Sequence, residues 1–154
     1  MTIMSDEPIG DDSRIPQPAL ILGVLGVIPF IACGVAAIAL TDPYWSAFAV
    51  DAVRYYGAVI LSFLGGIRWG LAIQPFNKDD LWFQLALSVA PSLFAWGALL
   101  VPGQIGIAML ILGLVGMLAA DVQFVNQGRA PQWFSKLRLW LTVGACSGLL
   151  MIAL

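Results

Sequence analysis

No charged side chain occurs between Leu81 and Ala120. A helix crosses a bilayer with about 20 mostly apolar residues, so this stretch holds enough chain for two crossings. It is interrupted once, at Val101-Pro102-Gly103-Gln104. Pro and Gly side by side mark a turn. The stretch therefore reads as a helical hairpin with spans at Leu81–Val101 and Ile105–Val125. Helices are the economical solution there, because lipid offers no partner to a free backbone N–H or C=O.

The same reading extends along the chain. Ile15 to Thr41 carries no charge, and its apolar part, Ala19–Leu40, is the first span. Tyr55–Ile73 is apolar apart from Arg68 and is the second, with an extension back to Ala47 open. The fifth runs from Ser135 to Leu154. Its charge-free part, Leu139–Leu154, measures about 24 Å at helical rise, short of the ~30 Å hydrocarbon core; Lys136 and Arg138 are expected to snorkel and make up the length. The expected fold is all-α, an integral membrane bundle of five transmembrane helices. It forms one domain over 19–154, after a disordered acidic lead over 1–18. The lead does not read as a signal peptide, because acid rather than base precedes the first apolar run.

Composition agrees. The chain is 60% apolar and 10% charged, with a mean hydropathy of +0.92, against about 45–50% and about 25% for soluble domains. This excludes a soluble globular enzyme and a nucleic-acid-binding domain. There is no histidine, which removes histidine metal sites, histidine haem ligation and histidine-based triads. Cys33 and Cys146 lie inside apolar stretches with no metal-ligand spacing and read as small buried hydrophobes. No cofactor is expected.

Five spans put the two ends of the chain on opposite sides. Arg14, Arg68, Lys78, Arg129, Lys136 and Arg138 then share one side and Arg54 is alone on the other. Basic residues favour the cytoplasmic side. The expectation is a bacterial inner membrane protein with its N-terminus cytoplasmic and its C-terminus periplasmic. Trp69, Trp82, Trp133 and Trp140 fall near one interface and Trp45 and Trp96 near the other, an aromatic belt contacting membrane lipids. Five spans do not divide into equal halves, which disfavours an inverted-repeat transporter.

Four features stand out within the spans. Ala58, Ser62, Gly66 and Gly70 recur at four-residue spacing, and Gly144 and Gly148 repeat the pattern; such ladders let helix backbones approach closely. They read either as a packing seam within the bundle or as a docking face for a partner helix. Arg68 and Asp121 lie at similar depth. A lone charge there is costly, so the two are expected to meet as an inter-helix ion pair or else to snorkel separately. Asp51 and Arg54, three residues apart, form a local pair. Pro29 and Pro91 each free the carbonyl four residues earlier, at Leu25 and Leu87, and kink their helices; Ser88 and Ser92 flank the second kink.

The run Tyr56-Gly57-Ala58-Val59-Ile60-Leu61-Ser62-Phe63-Leu64-Gly65-Gly66-Ile67-Arg68-Trp69-Gly70 resembles the hallmark of domain-of-unknown-function family 3429, the family of transmembrane protein 69. Ser88-Val89-Ala90-Pro91-Ser92-Leu93 with Trp96 is similar to that family's third span. Asp121, Pro131-Gln132-Trp133 and Leu137-Arg138-Leu139 with Thr142 are similar to its last section. The resemblance covers most of the chain after Pro16. It implies a multi-pass membrane protein of bacteria or mitochondria and supplies no catalytic residue.

Two functions from different classes follow. The first is a non-enzymatic accessory or assembly protein of a larger membrane complex, suggested by small size, small-residue ladders and the lack of a catalytic constellation. The second is a binder or carrier of a small apolar ligand (a lipid, quinone or porphyrin), suggested by the two proline kinks, the aromatics and a charge in the membrane that would orient a head group. It predicts a cavity near Arg68 or the Pro91 kink. An enzyme is disfavoured, because Arg68, Asp121, Asp51, Tyr55, Tyr56 and Ser62 contain no nucleophile–base set.

Overall fold

The computed structural model describes residues 14–73 and 81–153. Most of the expected lead and the loop Gln74–Asp80 lie outside the described residues. Five helices follow one another: α1 (Gln17–Ala39), α2 (Pro43–Ala72), α3 (Leu81–Leu100), α4 (Gly103–Asn126) and α5 (Gln132–Met151). Gln17 and Pro18 therefore open α1 instead of ending the lead. Four helices, α1 to α4, are long and apolar enough to cross a membrane. The expected fifth span, α5, is not among them, because Gln132, Ser135, Lys136 and Arg138 make its first turns polar.

Helix α2 starts twelve residues before the expected Tyr55. Asp42 is its N-cap. The carboxylate Oδ1 accepts from the backbone N–H groups of Tyr44 and Trp45 at 2.9 and 3.3 Å, and Pro43 occupies the first helical position. Both choices suit a helix start. The Ser46 hydroxyl also donates to the Ala37 carbonyl at 2.8 Å, tying the new helix to the end of α1. The expected loop Thr41–Ser46 shrinks to a tight corner. With 30 residues, α2 is the longest helix, about 45 Å at helical rise, which exceeds a ~30 Å hydrocarbon core.

The α4–α5 corner closes on Gly128. Its φ of +70° suits glycine because it lacks a Cβ. Gly128 N–H donates to the Val125 carbonyl at 2.9 Å, and Arg129 N–H to the Phe124 carbonyl at 3.1 Å. This is a Schellman closure. It satisfies carbonyls left free at the end of α4.

The helices form a closed ring in chain order, with α5 returning to α1; α2 also reaches α4 and α5, so it touches all four others. The interior is built on Phe30, Val53, Leu61, Leu110, Leu114 and Leu149, all less than 2% exposed. Along α4 the buried positions are Gly106 and then Ile107, Leu110, Leu114, Met117, Asp121 and Phe124. Steps of three and four place them on one face.

Lipid is as apolar as leucine, so close backbone packing must hold such helices together. Glycine provides it at several places. A Cβ on Gly148 would collide with the Phe30 backbone of α1, and one on Gly65 with the Ser88 carbonyl of α3. Gly144 packs beside Val27, so the Gly144/Gly148 pair lies in the α1–α5 contact. The α2 seam differs from the expected ladder. Ala58 is buried and Ser62 half-buried, but Gly66 and Gly70 face outward with nothing near them. The seam follows Gly57, Leu61, Gly65, Arg68 and Ala72 instead. Strict four-residue spacing drifts around a helix of 3.6 residues per turn, and Gly65 keeps the inward direction that Gly66 loses.

Candidate functional site

Asp121 occupies the interior face of α4, one turn beyond Met117. Its partner is Arg138 of α5: Arg138 Nε donates to Asp121 Oδ2 at 2.7 Å, with both side chains at most 7% exposed. The expected pairing of Asp121 with Arg68 is thus replaced. Arg68 is also buried, but its guanidinium stands over the Phe124 ring at 5.5 Å from the centroid, and Arg129 approaches the same ring at 5.7 Å. Ring faces attract cations, so Phe124 offers Arg68 a contact without a counter-ion.

Arg138 was expected to snorkel beside Lys136. The two separate on the helix surface: Lys136 is exposed, whereas Leu137, Arg138, Thr142, Ala145, Gly148 and Leu149 are buried. The signal was present in the spacing. Arg138, Thr142, Ala145 and Leu149 follow steps of four, three and four, which marks one face of a helix.

Two polar atoms on that face have no hydrogen-bond partner although they are buried, Arg138 Nη2 and Thr142 Oγ1. Positions four apart on a helix are neighbours. Both residues belong to the wall of a cavity of about 380 Å³ between α1, α2 and α5, half open at the bundle surface, where Leu22 and Phe63 line it while largely exposed. Helix α1 contributes Gly23, Gly26 and Phe30, α2 contributes Phe63 and Leu64, and α5 contributes Trp133 and Leu141. Apart from Arg138 and Thr142 the lining is almost wholly apolar or glycine. Its size falls within the range of about 300–1,000 Å³ typical of ligand pockets.

The α1 wall is braced from α2. Tyr56 donates its hydroxyl to the Gly26 carbonyl at 3.0 Å, and its ring meets Phe30 edge-on with centroids 5.0 Å apart. Pro29 lies within this braced segment. Pro91 is buried in α3 and takes no part in the lining. Ser88 donates to the Leu85 carbonyl at 2.6 Å, so its hydroxyl is not directed at the Leu87 carbonyl that Pro91 frees. The cavity lining includes Arg138 and, on α2, Leu64 and Ile67 beside Arg68, but neither Arg68 itself nor Pro91.

At the opposite end of the bundle Arg54 donates Nη2 to the Val101 carbonyl at 2.9 Å and lies 3.5 Å from Asp51. It thereby caps the end of α3 and forms the expected local pair. Gln104 Nε2 donates to the Ala153 carbonyl at 3.0 Å, joining the start of α4 to the end of α5.

Several long apolar helices around an interior ion pair define the class, an all-helical membrane protein. The chain belongs to the family described as "Protein of unknown function (DUF3429)", which it matches over residues 15–154. It is 42% identical over 135 residues to "Transmembrane protein 69" of Xenopus tropicalis, covering 84% of this chain and 51% of that protein. It is 35% identical over 133 residues to "Transmembrane protein 69" of Mus musculus, covering 84% and 53%. The chain thus spans about half the length of the curated relatives it matches. No solved structure matches it.

Proposed function

We propose that this protein is a non-enzymatic binder of a small, largely apolar membrane ligand, held between α1, α2 and α5. One observation carries the reading: a 380 Å³ apolar cavity whose wall includes two residues with buried, unpartnered polar atoms. Buried polar groups are nearly always paired. Both atoms are covered by the wall, so a ligand would pair them only once the wall shifts. The reading is non-enzymatic because Arg138 occupies Asp121, which leaves Thr142 without a base.

In the same reading α5 also crosses the bilayer, its one interior cation neutralised by Asp121. The end bearing Arg14, Arg68, Arg129, Lys136 and Arg138 faces the cytoplasm of a bacterial inner membrane.

The test is mild extraction of the tagged protein from native membranes, followed by mass spectrometry of bound small molecules. The expected result is one apolar species enriched over bulk lipid and lost in Gly26→Leu. That variant fills the cavity from a position where a Cβ has room, the nearest atom being 3.8 Å away. No enrichment over bulk lipid would reject the reading.

A second reading, an accessory protein of a larger membrane complex, rests on a different observation. Gly66 and Gly70 lie exposed on α2 with nothing within 4 Å of a Cβ at either, and such a strip admits a partner backbone. Stoichiometric co-purification of a larger complex, lost in Gly66→Leu, supports it; a protein recovered alone counts against it.

A further inference from the structure

Phe124, near the end of α4, has two guanidiniums against its ring. Arg68 of α2 stands 5.5 Å from the ring centroid, and Arg129 of the α4–α5 corner 5.7 Å. A ring face attracts cations but carries no net charge, so it does not neutralise them. Asp121 is the sole acid among the described residues at this end, because Asp42 and Asp51 lie at the other. It is held by Arg138 at 2.7 Å and meets Arg68 through charge alone. One carboxylate thus answers to three arginines. The C-termini of α2 and α4 each add about half a negative charge, which leaves about one positive charge unmatched.

The unmatched donors reach the surface. Arg68 is only 8% exposed and has no hydrogen-bond acceptor among the described residues. Yet none of its nitrogens is sealed off as Arg138 Nη2 is. Arg129 is exposed, and its side chain likewise has no acceptor there.

We propose that Arg68 and Arg129 form an anion site that receives a phosphate group beside Phe124. Guanidinium forks match phosphate oxygens in geometry as well as charge. The level in the bundle also fits. Arg68 is four residues from the end of α2 and Phe124 two from the end of α4, about one helical turn inside the bundle end. Basic pockets between membrane helices at that level hold lipid head groups. Trp69 and Ile73 of α2 and Val122 of α4 are exposed and give nearby apolar surface for acyl chains. The site is separate from the cavity, whose lining includes neither arginine, and does not depend on it.

The phosphate has two sources, a lipid head group or the free ion. The full chain is purified in a neutral detergent and stripped of lipid; the charged residues of 1–13 and 74–80, which lie outside the described residues, are thereby kept. Dioleoylphosphatidylglycerol, dioleoylphosphatidylcholine and inorganic phosphate are each titrated. Native mass spectrometry counts bound lipid, and the melting temperature reports the free ion.

The expected result is one phosphatidylglycerol per chain, bound more tightly than phosphatidylcholine, whose choline cancels the phosphate charge. Retention of phosphatidylglycerol in excess inorganic phosphate assigns the lipid source. Its displacement, with a saturable rise in melting temperature, assigns the free ion. Arg129→Gln should weaken binding about tenfold, the size of one charge-assisted hydrogen bond, and Arg68→Gln at least as much. Lys136→Gln removes an exposed base from the same end and should change little. Gly26→Leu, which fills the cavity, should leave binding unaltered. Arg129 is exposed, so Arg129→Gln decides alone should Arg68→Gln not fold. Equal binding of the two lipids, no binding of phosphatidylglycerol or phosphate, or equal losses in Arg129→Gln and Lys136→Gln would overturn the proposal. So would loss in Gly26→Leu, which would move the lipid into the cavity. Binding that appears only when Asp79→Asn and Asp80→Asn are combined would overturn it as well, by assigning the two arginines to acids of the chain itself.

Discussion

Arg68 and Arg138 are both buried arginines, yet their surroundings assign them different work. Arg138 is locked to Asp121 at 2.7 Å, whereas Arg68 rests over Phe124. Removing one member of a buried pair strands the other, at a cost of about 3–5 kcal/mol. Asp121→Asn should therefore lower the melting temperature of the detergent-solubilised protein sharply. Arg138→Leu added to it should restore most of the loss, since replacing both partners by neutral groups is far cheaper. Arg68→Gln added to it should restore less than Arg138→Leu, since Arg68 acts on Asp121 through its charge alone, and an equal or larger rescue by Arg68→Gln would show that Asp121 answers to α2 instead of α5. Arg68 itself should respond to its ring contact: Phe124→Leu removes it and should cost about 0.5–2 kcal/mol. That an intramembrane acid must find a cation was legible in the sequence. Which cation it finds depends on how α2 and α5 are rotated against α4, and no local pattern carries that.

Among the elements, α2 shows how a polar group can mislead a reading by hydropathy. Asp51 and Arg54 look like the edge of a span, but they lie well inside a helix that begins at Pro43. The overlooked signal was Asp42-Pro43, an acidic cap followed by the imino acid that fits the first helical turn. Asp42→Ala should cost about 1 kcal/mol, seen as a lower melting temperature. The glycines make a sharper test. Gly65→Ala and Gly148→Ala place a methyl against backbone of a neighbouring helix and should each cost about 1–3 kcal/mol as overpacking. Gly66→Ala meets open space and should leave stability unchanged or slightly raised, given alanine's better helix propensity. Equal losses at Gly65 and Gly66 would contradict the rotation of α2 described above.

For the whole molecule, α5 is the element in which hydropathy and packing diverge. It is absent from the helices apolar enough to cross a membrane by composition, yet it packs on α1 and α4 and closes the ring. Its polar residues divide by face: Lys136 is exposed and Arg138 is matched inside. If α5 crosses as proposed, reporters fused at Met1 and Leu154 should report opposite sides, with the Met1 fusion cytoplasmic. Same-side reporters would place α5 at the interface instead of across the bilayer.

Long charge-free stretches by themselves determined that the chain is helical and membrane-embedded. Lipid demands internally paired backbone over about 20 residues, and that requirement can be counted along a sequence. The Val101–Gln104 break and the approximate helix positions followed from the same local physics. Family membership was legible in the run from Tyr56 to Gly70. Three things waited for the tertiary structure: the Asp121–Arg138 pair, the choice of Gly65 over Gly66, and the cavity between α1, α2 and α5. Each depends on the rotation of one helix against another. That rotation is settled by side chains distant in sequence filling shared space, where a single residue's step around a helix, about 100°, decides whether a group meets a neighbour or lipid.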